Sequence, residues 1–291
     1  MPISFWHGTT RIATALLLAI FGAWVFFAFG RIGGETFLMR ACKRGHPIKV
    51  VQTLLIMGSN PNAGSKRVAR QKISVAEVTP LMFAAIDGRA DVARLLLARG
   101  ADPNRVDSAD NSALCAAMYS PRSNVETVQV LVQGGARIVG SGNPALACLN
   151  GAANEKAKAK FLLDHGATVS TRTLAGEPVF IFYSRWGFTE AVQLLIQSGA
   201  DVDVASGDGR TALMEAAENG RYDTVRALLE ANANPCAKDG NGQTALELAK
   251  RSFVRKGSAG DGSDSVAKAV MLLQSAQDVC QFRCNRSSET H

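Results

Sequence analysis

The raw material of catalysis is scarce in this chain of 291 residues. Its four histidines are His7, His46, His165 and His291. They fall in the amino-terminal tail, an inter-helix turn, a helix end and the last position, so none stands beside a nucleophile as a general base. No glycine pattern cradles phosphate in the manner of a P-loop or a dinucleotide fold. These absences argue against an enzyme, a small-molecule substrate and a bound cofactor. Aromatic residues make up only 7% of the chain, and no basic patch is interleaved with rings that could stack on bases. The net charge of +7 and pI near 9.3 therefore do not imply nucleic acid. Lys and Arg are scattered among acids, with local excess only at residues 66 to 72 and 250 to 256. Metal-binding spacing is missing too. Cys42, Cys115 and Cys148 read as small buried hydrophobes on helices, Cys236 follows Pro235 in a turn, and Cys280 and Cys284 lie one helical turn apart with no His or second Cys pair nearby. That last pair is open to a disulfide or redox role or to two free thiols, and the cysteines do not fix a redox compartment.

What the chain has instead is a period. The stretch from Asp208 reads D-G-R-T-A-L-M-E-A-A-E-N-G-R-Y-D-T-V-R-A-L-L-E-A-N-A-N-P and begins again at Asp239 with D-G-N-G-Q-T-A-L-E-L-A. Thr211 overlies Thr244, a step of 33, and a fixed step of this size marks stacked supersecondary units. Thr211 can cap a short helix carrying Ala212, Leu213, Ala216 and Ala217, which Gly220 ends. A second helix buries Val225, Leu228 and Leu229 and closes at Asn232, where other copies have Gly for a left-handed turn. The marker recurs as Thr36, Thr79, Ser112, Pro144, Pro178, Thr211 and Thr244, with steps of 43, 33, 32, 34, 33 and 33. Seven units thus occupy residues 35 to 277, enough for a stack whose stability grows with repeat number.

The unit resembles an ankyrin repeat, most closely at R-G-A-D-P-N (residues 99 to 104) and S-G-A-D-V-D (residues 198 to 203). The resemblance implies an all-α solenoid of about seven helix-turn-helix units with β-turn fingers, and a concave face of turn tips and first helices that binds a protein partner. Departures are informative. The T-P-L-H tetrapeptide never appears intact, its last position being Met39, Met82, Cys115, Ala147, Ile181, Met214 and Glu247. That removes a Thr–His hydrogen bond and adds apolar packing. The third unit has two extra residues around Tyr119 to Arg122, and the fourth replaces the Thr cap by Asn143-Pro144, with Pro at the first helical position. Insertions fall at residues 65 to 78 and 250 to 264, the second Gly- and Ser-rich and read as a mobile loop. A closing helix at residues 266 to 277 and a tail at 278 to 291 follow.

Ahead of the repeats, a tail at residues 1 to 11 ends in Arg11, and residues 12 to 30 run for 19 residues without charge until Arg31. Such a run suits a bilayer-spanning helix. A cleavable signal peptide ending at Ala28-Phe29-Gly30 is the rival reading, although the run exceeds a signal core and is bulky near its end, and a buried core helix fits poorly with a repeat stack. Arg31, Arg40, Lys43, Arg44 and Lys49 favour cytoplasmic repeats. A short tail with one Arg before an apolar run favours an exported domain, periplasmic in a Gram-negative source, and export is the expectation adopted. Either way the stack stands on the bilayer, with Lys66, Arg67, Arg70 and Lys72 as candidate lipid contacts.

The fifth unit, E-P-V-F-I-F-Y-S-R-W-G-F, crowds five aromatics into nine residues. Alignment gives Phe180 and Tyr183 core positions and leaves Phe182 and Trp186 at positions that are polar elsewhere. With Arg185 these two form a candidate partner anchor, against the alternative that they shield the irregular fourth unit. Glu215 and Glu218, three apart on one helix, read as a solvated face and not an acid–base pair, and join the candidate contacts. Two functions fit this surface equally: a membrane-anchored scaffold that recruits a protein partner, and an inhibitor or immunity-type protein that blocks one enzyme or toxin. A secreted effector released after Gly30 is a third.

Overall fold

Five of the repeats start where a Thr or Ser turns its side chain onto the first turn of a helix, the fourth and fifth having Pro144 and Pro178 there without a side-chain cap. Thr36, Thr79 and Thr211 accept from the backbone N–H groups of Met39, Met82 and Met214 at 3.2, 3.3 and 3.4 Å, while the methionine sulfurs fold back to accept from the three threonine N–H groups. A thioether is a weak acceptor, and at these three caps it stands in for part of the bonding that a T-P-L-H histidine would provide. In the last repeat Glu247 closes the same box, its Oε2 accepting from the Thr244 N–H at 2.7 Å.

The computed structural model describes residues 31–32, 34–65, 77–139, 144–149, 155–256 and 263–288. Among them are thirteen α-helices, one 3-10 helix and one two-stranded hairpin. The chain divides after Arg137 into two compact units. The amino-terminal unit opens with β1 (Arg31–Ile32) and β2 (Glu35–Thr36), an antiparallel pair that sets Arg31 opposite Thr36. Three helix pairs follow: α1 (Phe37–Lys43) with α2 (Ile48–Ile56), α3 (Pro80–Ile86) with α4 (Ala90–Ala98), and α5 (Ala113–Tyr119) with α6 (Val125–Gln133). First helices pack on first helices and second on second. In the carboxy-terminal unit a 3-10 helix (Ala145–Cys148) precedes α7 (Glu155–Asp164). The pairs α8 (Val179–Trp186) with α9 (Thr189–Gln197), α10 (Ala212–Glu218) with α11 (Tyr222–Glu230), and α12 (Ala245–Lys256) with α13 (Ser263–Ser288) come after it.

Alanine and leucine from both helices of each pair fill the core, with Ala84, Ala85, Ala216 and Ala217 fully buried. Small residues let the first helices approach closely. The Asn that ends a repeat joins it to the next. Asn62 donates to the Gly100 carbonyl at 2.8 Å and accepts from the Asp102 N–H at 2.7 Å. Asn104 does the same with Gly135 and Arg137. Asp203, at the equivalent place, has only acceptors and makes one of the two bonds, from the Asn234 N–H at 2.8 Å. Asn232 adopts the expected left-handed conformation, φ +65°.

Three expectations need correction. Residues 250 to 256 are not loop but the end of α12, as Lys- and Arg-rich sequence with good helix propensity allows. The closing helix extends well past residues 266 to 277, taking in part of the anticipated tail. In the fourth repeat Pro144 sits just before the helix, not at its first position. It supplies no side-chain cap, and the helix shortens to the four residues of the 3-10 turn. The insertion after the first repeat is closed at its base, where Ser65 donates to the Val78 carbonyl and accepts from the Glu77 N–H. Lys66, Arg67, Arg70 and Lys72 lie outside the described residues, as does the apolar run 12 to 30. No helix among the described residues is long and apolar enough to cross a membrane.

Candidate partner-binding surface

On α8 the aromatic cluster runs from core to surface. Phe180 and Tyr183 are buried. Phe182, half-buried, lies 6.0 Å from the Tyr183 ring and 6.3 Å from that of Trp186, both tilted. Trp186 itself is 52% exposed. The buried tyrosine thus backs a half-buried phenylalanine that backs an exposed tryptophan, so a partner would meet an indole already held in place.

Beside this ladder, guanidinium and carboxylate groups alternate across three repeats. Arg185 donates from Nη2 to Glu177 Oε1 at 2.5 Å and from Nε to Glu215 Oε2 at 2.7 Å. Arg210 holds Glu215 through a 2.7 Å charge contact at Nε that lacks hydrogen-bond alignment, and pairs with Glu218 through Nη2. Arg251 donates to Glu218 Oε1 at 2.8 Å and to Gln243 Oε1 at 2.9 Å. Glu215 is not solvated as its spacing implied, being 5% exposed. Its neighbours supply the reason, because two guanidinium groups replace the water a buried carboxylate would otherwise need. Glu218 is also ion-paired. Burial alone would raise its pKa, and the hydrogen bonds from Arg210 and Arg251 outweigh that and lower it. Arg185 is shifted upward, chiefly by its hydrogen bond to Glu215. Of the five candidate contacts, Phe182, Arg185 and Trp186 come together on one helix, Arg185 already committed to two carboxylates, and Glu215 serves as the buried hub of the network.

Glu177, Arg210 and Arg251 are not among the expected contacts, yet the sequence carries a signal for them. Aligned on the helix cap, each of these repeats pairs the residue before the cap with the one seven after it: Glu177 with Arg185, Arg210 with Glu218, Gln243 with Arg251. Glu35 and Lys43, 2.6 Å apart, do the same in the first repeat. The sign of the pair inverts between the fifth and sixth repeats, which lets neighbouring pairs join into one chain of charges.

A cavity of about 240 Å³ lies over this network, between the turns at residues 175 to 178 and 206 to 208. Its lining includes Glu177, Arg185, Ser206, Asp208 and Glu215. It is polar and smaller than a usual small-molecule site, and it offers no paired nucleophile and base. No group of residues among those described could hold a metal ion. Cysteine usage departs from expectation. Cys115 and Cys148 are disulfide-bonded, not merely the buried hydrophobes expected, and Cys236, in its turn, is disulfide-bonded as well. Cys42 is a free buried thiol whose pKa burial pushes up to about 12, leaving it unreactive.

Comparison with known proteins places the architecture. The family model described as "Ankyrin repeats (3 copies)" matches residues 38–142, 145–239 and 179–258, and the chain belongs to this family. Domains of the family are typically non-enzymatic modules of protein–protein interaction. Among solved structures, the chain is similar to the ankyrin repeat domain of Bcl-3, a member of the IkappaB family, at 24% identity and a TM-score of 0.56, covering 75% of this chain and 95% of that one. It is similar to the human ASB11 ankyrin repeat domain at 20% identity and a TM-score of 0.60, covering 81% and 98%. No curated protein matches the chain.

Proposed function

We propose that this chain is a membrane-anchored ankyrin-repeat module that recruits a protein partner through the first-helix face of its carboxy-terminal unit, with the repeats on the exported side of the bilayer. The observation that carries the partner site is Trp186, exposed yet braced through Phe182 on the buried Tyr183. Aromatic anchors of this kind, ringed by polar groups, dominate binding energy at protein interfaces. The neighbouring charge network is saturated, so it orients the face without adding an unpaired buried charge. An inhibitor that occludes one enzyme uses the same face, and the identity of the captured partner separates the two roles.

Anchoring is supported by the uncharged run at residues 12 to 30. Export is supported by Cys115, Cys148 and Cys236, since structural disulfides persist in oxidising compartments. The partner site is tested by capture from detergent-solubilised membranes. Replacing both Phe182 and Trp186 by Ala is expected to abolish recovery of the partner while leaving the helical circular dichroism signal intact; undiminished recovery rejects this face. A single stoichiometric hydrolase in the captured material identifies the inhibitor. For topology, a reporter active only after export, fused behind His291, is expected to be active. Its silence, with a cytoplasm-active reporter working at the same point, returns the repeats to the cytoplasm.

A further inference from the structure

The cysteines do not pair off evenly. Cys42 is a free thiol, while Cys115, Cys148 and Cys236 are disulfide-bonded. The remaining two of the six, Cys280 and Cys284, lie on α13, and their side chains are outside those described. Three is an odd number, so one of the bonded cysteines takes its partner from this pair, and the same count leaves the second member of the pair as a thiol.

Cys236 is placed to be that one. It stands in the sixth repeat where Asn62, Asn104 and Asp203 stand in theirs. Its N–H donates to Asn234 Oδ1 at 3.0 Å, as theirs donate to the side chain two residues before. From this position Asn62 reaches the Gly100 carbonyl and the Asp102 N–H, the backbone just beyond the second helix of the next repeat. A thiol is a weak donor and a weak acceptor, so Cys236 does not keep such a tie by hydrogen bonding. The stretch it faces lies on α13, which packs on α11 and α12. Burial sets the register between α11 and α13 at an offset of 45: Thr224 matches Ala269 and Leu228 matches Leu273, all 0% exposed, and exposed Arg226 matches exposed Met271. The same offset carries Asn232 and Asn234, the equivalents of Gly100 and Asp102, to positions 277 and 279. Whereas α11 ends at Glu230, α13 runs on through these positions. Cys280 follows them directly, and Cys284 is a further turn along, about 6 Å at the rise of an α-helix.

We infer that Cys236 and Cys280 form a disulfide that clamps α13 to the turn between the sixth and seventh repeats, with Cys284 left as a thiol. The bond does covalently what Asn62 and Asn104 do by hydrogen bonding, and it makes this edge of the stack sensitive to redox state. A dithiol opens it by exchange: its two thiols pass their hydrogens to the two cysteine sulfurs and close into a disulfide of their own. Release frees the end of α13, while Ala269 and Leu273 keep the start of the helix packed.

The test is a peptide map of the full chain, purified without reductant and with free thiols blocked by iodoacetamide. Trypsin cuts at Arg283, between the two tail cysteines, so residues 227 to 238 are expected joined to residues 269 to 283, with Cys284 alkylated. Cys236 joined to Cys284, Cys115 or Cys148, or recovered alkylated, overturns the clamp. Hydrogen exchange gives a second reading. Cys236→Ser should cut protection in α13 beyond residue 276 by about tenfold or more, and Cys284→Ser should leave it unchanged. Equal protection in the two variants overturns the clamping role, and a Cys236→Ser chain that does not fold leaves the peptide map to decide.

Discussion

Truncating Phe180 to alanine is expected to destabilise the protein by about 3–5 kcal/mol, the range for removing a large buried aromatic from a core that cannot collapse around the gap. Phe180 is 1% exposed and Tyr183 beside it is fully buried. The same change at Phe182, one turn-face away and half-buried, should cost well under half as much, because solvent and the Trp186 ring occupy part of its surroundings. Urea unfolding followed by circular dichroism gives both values, and hydrogen exchange should show protection lost first in α8. Equal losses at Phe180 and Phe182 would mean that the whole aromatic cluster is core, and would remove the basis for treating Phe182 and Trp186 as a binding surface.

That division was legible in the sequence because repetition supplies an internal alignment. Phe180 falls where Leu213 falls, Phe182 where Glu215 falls, and burial follows from the register alone. The caps, the left-handed Asn232 and the order of the helices were legible for the same reason. The electrostatics were not, because they arise from pairs of positions eight apart within a repeat, which alignment of equivalent positions down the series does not display. Glu215 looked solvated since its helix face is polar. Its burial depends on Arg185 from one repeat and Arg210 from the turn of its own, a three-body arrangement that no single helix displays. The disulfides escaped for a related reason, since pairing depends on distance in space and the spacing of Cys115, Cys148 and Cys236 matches no known framework.

The irregular third repeat illustrates a case where the sequence showed the anomaly and the structure supplies its use. The two extra residues around Tyr119 to Arg122 fold onto the turn of the second repeat. Ser120 Oγ donates to the Ile86 carbonyl at 2.6 Å, and Arg122 Nη1 donates to Asp87 Oδ1 at 3.2 Å. The insertion therefore acts as a clasp between adjacent turns, and its point of closest approach is Gly88.

Replacing Gly88 by alanine is accordingly expected to cost about 2–4 kcal/mol, combining a left-handed backbone with overpacking. Gly88 has φ +68°, and a methyl group there would sit 2.3 Å from the Arg122 carbonyl oxygen and 3.1 Å from the Ser123 Cα. Both are backbone atoms, so no side-chain rotation relieves the clash and the two turns must separate. Separation would also stretch the Ser120 and Arg122 bonds that hold the clasp. Gly100 provides the control. Its φ is +80° with nothing within 4 Å of the added carbon, so Gly100→Ala pays only for the backbone conformation, about 1 kcal/mol. Chemical denaturation of the two variants should differ by at least the cost of the clash, and exchange protection in α3 and α5 should fall in the first variant and persist in the second. Matching losses would show that the backbone conformation alone sets the cost and that the third repeat's extra residues do not clasp the second.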